Sequence, residues 1–243
     1  RRDRAAGRYR AYTRPGQPMT AVFVTATGTD IGKTFVAASL IRHWRAAGRT
    51  VEALKPVASG FDPASAAARD AGVLLAALGR AATHDDIERM APWRFFAPLS
   101  PDMAAQREGR AIDFGALVAH SRAAIEGAKD LLLIEGIGGI MVPLDDSHTV
   151  LDWMTALNIP LLVVTGSYLG SLSHTLTCLD ALARRNLTVK ALVVNETPGA
   201  TVALVETART LTRFVAPVPV VTLPRLPSGE TSHPAIAKLA AAF

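Results

Sequence analysis

VFVTATGTDIGKT at residues 22–34 predicts a buried strand, a short loop and the first turn of a helix. Such a loop turns its backbone N–H groups, together with the positive end of the helix dipole, toward a polyphosphate. Lys33 adds a cation to this arrangement, and the Thr34 hydroxyl is a suitable ligand for Mg²⁺. The stretch therefore predicts a phosphate-binding loop between a strand and a helix.

The loop departs from the usual spacing G-x-x-x-x-G-K-[ST]. That spacing requires glycine at position 27, where the chain has Thr27, and Gly28 follows inside the loop. We therefore predict a loop one residue longer, starting at Ala26. An ordinary strand–helix turn that contains Gly-Lys-Thr is the alternative, and the apolar strand before the loop favours nucleotide binding.

The composition indicates one globular domain. The chain has 243 residues, of which 49% are hydrophobic and 19% charged, enough to build one large core. No apolar run approaches the roughly 18 residues of a spanning helix, so we expect no membrane segment. The single cysteine, Cys178, falls on an apolar helical face; we expect a core thiol and a cytoplasmic protein without disulfides.

The net charge of +5 is concentrated at the N-terminus, since residues 1–18 hold six arginines and one aspartate. Residues 19–243 then contain 20 basic and 20 acidic side chains, so no nucleic-acid surface is indicated. We interpret residues 1–18 as a disordered tail or a mis-called start, with a targeting peptide as the alternative, and residues 19–243 as one folded domain.

Helical and strand patterns alternate from residue 21 onward, which predicts right-handed βαβ units and a mostly parallel sheet with helices on both faces. The predicted strands cover 22–25, 50–57, 131–135, 160–165, 189–194 and 218–222. The predicted helices cover 32–47, 65–79, 113–127, 149–158, 171–186, 201–214 and 234–242. Residues 83–112 contain three prolines and are predicted to be irregular.

Ligands bind parallel sheets at the carboxyl ends of the strands, which places Lys33, Lys55, Glu135, Ser167 and Asn195 at one rim. Glu135 ends an apolar strand, and we expect its carboxylate either to hold Mg²⁺ or to cap the next turn. Lys55 ends a buried strand and needs an anionic partner unless it reaches solvent. Asn195 reads a nucleobase edge or caps a turn.

The other polar candidates carry weaker signals. From the residues alone, Asp70 is a surface helix residue. His174 and His233 have no partner at ligand spacing, so we expect structural roles for both. No Ser/His/Asp or Cys/His arrangement is present in the pattern, and covalent catalysis is not indicated.

Five motifs follow one another along the chain: Thr25 with Gly32-Lys33-Thr34, Lys55-Pro-Val-Ala-Ser-Gly60, Leu99-Ser-Pro101, Glu135-Gly-Ile-Gly-Gly139 and Val194-Asn195. Together they resemble the dethiobiotin synthetase family over residues 19–243. The resemblance implies the single-domain, three-layer α/β fold of P-loop NTPases, with a mostly parallel sheet of about seven strands, and a homodimer.

The resemblance also implies a reaction that uses ATP and Mg²⁺. CO₂ adds to one amine of 7,8-diaminopelargonate (7,8-diaminononanoate) and gives a carbamate. The carbamate takes the γ-phosphoryl group of ATP to form a carbamic–phosphoric anhydride. The second amine then closes the cyclic urea, which gives dethiobiotin for biotin biosynthesis.

By the same resemblance, each motif residue receives a role. Lys55 is the catalytic residue that holds the carbamate, and the metal ligands are Thr34, Asp70 and Glu135. The nucleotide contacts are Asp30, Ile31, Gly32, Lys33, Thr34, Phe35, Asp70, Glu135, Gly136, Ile137, Gly138, Asn195, Glu196, Pro224, Arg225 and Leu226. The substrate contacts are Thr29, Ser59, Ser100, Gly170 and Ser171, the last two at a helix N-terminus that receives the substrate carboxylate.

Three positions depart from the family pattern. Ala26 stands where the family usually has the first loop glycine, at a cost of about 1 kcal/mol if that position needs a positive φ. Asp30 replaces a frequent glutamate, and Tyr168 stands where some members carry a basic residue.

Two other functions compete with this interpretation. A P-loop regulatory or partitioning ATPase usually carries a second lysine early in the loop, and residues 26–31 contain none. A related amidotransferase synthetase needs a fused glutaminase domain with a nucleophilic cysteine, whereas this chain offers only Cys178.

Overall fold

The computed structural model describes residues 21–227 and 229–243. The interpretation of residues 1–18 lies outside the described residues. The strands are β1 (Ala21–Ala26), β2 (Val51–Leu54), β3 (Val57–Ala58), β4 (Trp93–Arg94), β5 (Leu131–Glu135), β6 (Leu161–Gly166), β7 (Val189–Asn195) and β8 (Val220–Leu223). The helices are α1 (Lys33–Ala46), α2 (Asp70–Ala77), α3 (His84–Met90), α4 (Pro101–Arg107), α5 (Phe114–Gly127), α6 (Val150–Leu157), α7 (Ser171–Arg184), α8 (Leu204–Val215) and α9 (Pro234–Ala240), with a 3₁₀ helix at Pro63–Ala68.

The main sheet has six parallel strands in the order β2-β5-β1-β6-β7-β8. β1 lies in the interior of this sheet, and every one of its residues is buried. The predicted α/β architecture with a mostly parallel sheet is confirmed. The main sheet holds six strands rather than about seven, because β3 and β4 pair with each other in a separate two-stranded parallel sheet.

Pro56 explains why the predicted strand 50–57 divides into two. Proline has no N–H group to donate to a ladder, so a central strand does not continue through it. Residues Val51–Leu54 pair with β5, whereas Val57–Ala58 leave the main sheet and pair with Trp93–Arg94. This break turns Lys55 away from the regular ladder, and its N–H donates to the carbonyl of Met90 instead.

The prediction that residues 83–112 are irregular was wrong, because α3, β4 and α4 lie in this segment. Thr83 caps α3 by accepting a hydrogen bond from the N–H of Asp86, at 3.2 Å. Pro101 is the first residue of α4, where a missing N–H costs nothing, so this proline starts a helix rather than breaking one. Both helices have seven residues, too few for a clear periodic signal.

The sheet separates two apolar layers. Phe23 points to one face and contacts the Trp153 ring edge-on, with centroids 4.8 Å apart. Its neighbours Val22 and Val24 point to the other face, where α1 and α2 cover the sheet. Cys178 is buried, and burial raises the pKa of its thiol to about 12, which confirms the expected core thiol. Within the described ranges, no helix has both the length and the apolar character needed to cross a bilayer.

Candidate active site

The phosphate loop joins β1 to α1 through two residues in the left-handed region. Asp30 has φ 57° and Gly32 has φ 86°, and Gly32 immediately precedes the first residue of α1. Ala26 is instead the fully buried last residue of β1 and has ordinary strand geometry, so the expected strain at Ala26 does not arise. The left-handed conformation falls on Asp30, a residue type that tolerates it better than most.

The strand register brings the chemically important side chains together. Val24 of β1 lies opposite Glu135 of β5, and Leu54 of β2 lies opposite Ile134 on the other side of β5. Glu135 therefore ends its strand between the phosphate loop and Lys55. These two pairings bring the phosphate loop, Glu135 and Lys55 together at the carboxyl ends of the strands, as predicted.

Lys55 lies at the centre of an ionic cluster. Its Nζ donates to Glu135 Oε1 at 2.7 Å and to the carbonyl of Gly136 at 2.7 Å, and it lies 3.1 Å from Asp70 Oδ2. Lys55 is 2% exposed and Glu135 is fully buried. Burial alone lowers the pKa of Lys55, but the charges of Glu135 and Asp70 outweigh burial and raise it. Lys55 is therefore a fixed ammonium ion at neutral pH.

Asp70 is drawn into the same cluster. Burial raises the pKa of this carboxyl group, but the charge of Lys55 and hydrogen bonds from Lys55 and Thr34 lower it further than burial raises it. The prediction from the residues alone, a surface helix residue, is confirmed, since Asp70 begins α2 and its side chain is 49% exposed. The exposed side faces the phosphate loop across the cavity.

The oxygen atoms of Thr34, Asp70 and Glu135 fit a magnesium ion. Thr34 Oγ1 donates to Glu135 Oε1 at 2.8 Å, while Glu135 Oε2 is buried without a hydrogen-bond partner. Mg²⁺ prefers such hard oxygen ligands and is usually held by one or two carboxylates together with substrate phosphates. In residues 21–227 and 229–243, no group of three or more His, Cys, Asp or Glu side chains is placed to hold a metal ion.

Lys33 is a second cation of a different kind. Its side chain is 8% exposed, and its Nζ donates to the carbonyl of Gly28 at 3.5 Å. Burial, followed by repulsion from Lys55, lowers the pKa of Lys33 to about 8. An anionic ligand beside Lys33 would raise this pKa again, because it would favour the charged form of the side chain.

Two adjoining cavities open at the loop and share Asp30 and Gly32. The larger has a volume of about 770 Å³, and its lining includes Thr29, Lys33, Thr34, Lys55, Ser59, Asp70, Ser100, Ile137 and Gly138. The smaller, of about 490 Å³, is lined in part by Ile31, Phe35, Asn195, Glu196, Pro224, Arg225 and Leu226. The first set contains most of the residues expected at phosphate and substrate, and the second contains those expected at the nucleobase.

A few of the candidate residues lie outside both cavities. Gly136 is behind Lys55, with its N–H bonded to the carbonyl of Val24 and its own carbonyl bonded to Lys55. Gly170 and Ser171 begin α7 and line neither cavity. Ser167 lies beyond the smaller cavity, where its Oγ accepts from the N–H of Thr197 at 3.0 Å.

Five residues of the larger cavity were not predicted from the sequence, namely Phe61, Arg69, Ala71, Pro98 and Val142. Arg69 directly precedes Asp70, and a helical pattern alone does not tell which of two neighbours faces a ligand. His233 caps α9 by accepting from the N–H of Ala235, and His174 pairs with the Tyr168 hydroxyl at 2.8 Å. These contacts agree with the structural roles expected of both histidines.

A phosphate loop, an acid at the end of the neighbouring strand and a parallel sheet define a nucleotide-binding protein of the P-loop class. A family model described as an AAA domain matches residues 20–232. The chain belongs to the dethiobiotin synthetase family. It is 49% identical over 202 residues to the ATP-dependent dethiobiotin synthetase BioD of Acidiphilium cryptum (strain JF-5), an alignment that covers 83% of this chain and 91% of the relative.

A second relative and a solved structure agree with this assignment. The ATP-dependent dethiobiotin synthetase BioD of Caulobacter sp. (strain K31) is 46% identical over 208 residues, covering 85% of this chain and 89% of that protein. The structure of the cell division ATPase MinD from Pyrococcus furiosus superposes with a TM-score of 0.58 at 17% identity, covering 92% of this chain and 98% of that one. This last similarity concerns the fold alone.

Proposed function

We propose that this protein is an ATP- and Mg²⁺-dependent cyclo-ligase that converts 7,8-diaminopelargonate and CO₂ into dethiobiotin in the cytoplasm. The observation that carries the proposal is the position of Lys55, a buried ammonium group beside Glu135 and Asp70 on the wall of the phosphate-loop cavity. The second lysine of a regulatory or partitioning ATPase lies early in the loop, whereas Lys55 follows β2. There its ammonium group can hold a carbamate, an anion that must approach the triphosphate.

The cluster suits phosphoryl transfer without a covalent nucleophile. Lys33 neutralises charge on the β- and γ-phosphates, while the loop N–H groups hold their oxygens in place. Mg²⁺, when held by Thr34, Asp70 and Glu135, supplies further neutralisation of the phosphate charge. Gly138, with φ 56°, lets the backbone approach the phosphates closely.

Lys55 then acts as an electrostatic anchor rather than a proton acceptor, because its raised pKa keeps it protonated. One substrate amine attacks CO₂ and loses a proton, giving a carbamate that Lys55 holds. A carbamate oxygen attacks the γ-phosphorus and ADP leaves. The second amine attacks the carbamoyl carbon, expels inorganic phosphate, releases a proton to solvent and closes the ring. Thr29, Ser59 and Ser100 position the substrate in the larger cavity.

The remaining candidate residues bind the adenine of ATP and the carboxylate of the substrate. Asn195, Glu196 and the turn Pro224–Leu226 hold the adenine in the smaller cavity. We assign the substrate carboxylate to Gly170 and Ser171 at the first turn of α7, within a homodimer. The separation of α7 from both cavities supports this part of the proposal, because a second copy would bring one such turn to the other's cavity.

The deciding experiment mixes purified protein with MgATP, bicarbonate and the diamine. We expect ADP release that depends on the diamine and a cyclic urea of the expected mass. Omitting bicarbonate or diamine provides the matched control. ATP hydrolysis that is indifferent to the diamine would instead favour a regulatory or partitioning ATPase.

The lowered pKa of Lys33 predicts that this side chain takes up a proton when nucleotide binds at high pH. Because that pKa is about 8 before ligand binds, part of the population is neutral above it, and the bound triphosphate restores the ammonium form. We expect proton uptake on ATP binding at about pH 9 and little uptake at about pH 7. Calorimetry in two buffers of different ionisation enthalpy measures this uptake, and equal enthalpies in both buffers at the higher pH would contradict the prediction.

A further inference from the structure

Arg69 lines the larger cavity and has no role in the chemistry described above. It joins the 3₁₀ helix at Pro63–Ala68 to α2 and directly precedes Asp70, which lines the same cavity. Its backbone is extended, with φ −86° and ψ 165°, so Arg69 lies just outside the helix. An arginine next to a proposed metal ligand is therefore part of the wall around the triphosphate and the substrate.

The backbone around Arg69 is closely packed. The N–H of Arg69 donates to the carbonyl of Ala66 at 3.2 Å, and its own carbonyl accepts from the N–H of Val73 at 2.9 Å. Gly72, in the first turn of α2, has no room for a side chain, because an added Cβ would lie 2.2 Å from the carbonyl oxygen of Ala66. These contacts hold the 3₁₀ helix against α2 and fix the point from which the Arg69 side chain starts.

The exposed Arg69 side chain is held at one nitrogen and open at the other two. Its Nε donates to Ser65 Oγ at 3.2 Å, and Ser65 Oγ in turn donates to Asp62 Oδ2 at 3.2 Å. Within residues 21–227 and 229–243, no carboxylate forms an ion pair with the guanidinium, and Nη1 and Nη2 have no hydrogen-bond partner. Two charged nitrogen atoms of one planar fork are thus available to a ligand, in an arrangement that matches phosphate oxygens.

The formal charges around the larger cavity show that this cation is not offset. Lys55 carries one positive charge and its two carboxylate partners carry two negative charges, so the ionic cluster sums to one negative charge. The charges of Lys33 and Asp30, which line the same cavity, cancel each other. Among the described residues that line the cavity, Arg69 supplies the remaining positive charge. The cavity therefore depends on Arg69 for any excess of positive charge that the protein offers to an anion.

We propose that Arg69 is a further catalytic residue, whose guanidinium binds the phosphoryl group that passes from ATP to the carbamate. The inference rests on the proposed function, which assigns Lys55 to the carbamate and α7 of a second copy to the substrate carboxylate. The anion left in the larger cavity is the triphosphate. Its γ-phosphoryl group spreads negative charge over three oxygens during transfer, so it has room for a cation besides Lys33 and Mg²⁺.

One guanidinium serves both chemical steps, because the phosphoryl group takes part in both. In the first, a carbamate oxygen forms a bond to phosphorus, and the bond to the β–γ bridging oxygen breaks with its electron pair leaving on ADP. In the second, the amine nitrogen forms a bond to the carbamoyl carbon. The carbon–oxygen bond then breaks with its electron pair leaving on inorganic phosphate, and a proton passes to solvent. Arg69 keeps its own proton throughout and stabilises the negative charge on the phosphoryl oxygens.

Arg69→Gln tests this because it removes the charge and the fork but keeps a polar side chain at an exposed site. ADP lacks the γ-phosphoryl group, so we expect ATP affinity to fall about tenfold while ADP affinity stays within about twofold. We expect kcat to fall about 100-fold while the KM for the diamine stays within about twofold. Arg69→Lys restores the charge without the fork, and it should recover part of both losses. Titration calorimetry measures the affinities, and ADP release measures turnover.

Arg107→Gln is the matched control, because Arg107 is also exposed, lies at the end of a helix and lines neither cavity. Its affinities and kcat should match those of the unmodified protein, and thermal unfolding checks that both glutamine variants are folded. An equal loss of ATP and ADP affinity in Arg69→Gln, a higher KM for the diamine with unchanged kcat, or unchanged kcat and ATP affinity would each overturn the inference. Absence of diamine-dependent turnover in the unmodified protein would overturn the proposed function instead. The ATP and ADP affinities of Arg69→Gln would then still test its contact with the γ-phosphoryl group.

Discussion

Lys55→Ala is expected to reduce turnover at least about 1,000-fold while ATP still binds. The ammonium group of Lys55 contacts Glu135, Gly136 and Asp70. In the proposed function it is the positive charge that holds the carbamate. Lys33 and the loop N–H groups, which face the phosphates, are unchanged in this variant. Single-turnover assays of ADP release and equilibrium ATP binding measure the two effects separately.

Loss of Lys55 also leaves Glu135 buried without its ion-pair partner, and breaking a buried pair typically costs about 3–5 kcal/mol of stability. Lys55→Gln keeps amide donors for Glu135 and the carbonyl of Gly136, so it separates loss of charge from loss of packing. We expect Lys55→Gln to be folded and equally inactive. Lys129→Gln, at an exposed lysine before β5, should retain full activity. Near-normal turnover in a folded Lys55 variant would remove this residue from the mechanism.

Lys33→Met is expected to weaken ATP binding by at least roughly 100-fold and to raise the melting temperature of the ligand-free protein. The folded pKa of Lys33 is about 8, below its ordinary value of 10.5, because burial and Lys55 disfavour the charge. The charged form therefore destabilises the fold, and methionine fills the same space without that cost. Titration calorimetry and thermal unfolding measure the two outcomes.

The gain in melting temperature has a defined pH dependence. Below about pH 8 Lys33 is charged in both folded and unfolded chains, so the full penalty is present and the gain is largest. As the pH rises from 8 toward 10.5, Lys33 loses its proton in the folded protein before it does so in the unfolded chain. The cost of burying the charge then disappears, and the gain in melting temperature from methionine becomes smaller. Lys129→Met, at an exposed site, should change neither quantity. A gain that grew with pH would refute this account of Lys33.

The sequence was most informative where a pattern and a chemical requirement coincide. Lys33 and Thr34 belong to a loop whose position between an apolar strand and a helix is visible in the residue order. Glu135 ends a fully apolar run, so both its strand and its exit point follow from hydrophobicity. The alternating order of strands and helices predicts the parallel sheet, since crossovers of that length join parallel strands.

Other features depend on contacts that no local pattern encodes. Asp70 gains its role from Lys55 on another strand, and only the family motif indicated it beforehand. The division of strand 50–57 follows from Pro56 together with a partner, Trp93–Arg94, that is distant in the sequence. The short helices in residues 83–112 depend on a capping threonine and an N-terminal proline rather than on periodicity.

The pairing of Val24 with Glu135 has a further consequence, for the way the molecule assembles. The loop and the acid are separated by more than 100 positions in the chain, and parallel strands so far apart must close a long loop before they meet. No fragment that ends before β5 contains both halves of the proposed magnesium site. Amide hydrogens of the central strands exchange only when the whole sheet opens. A ligand held between the loop and the acid binds only the closed sheet, so it slows the exchange of these amides.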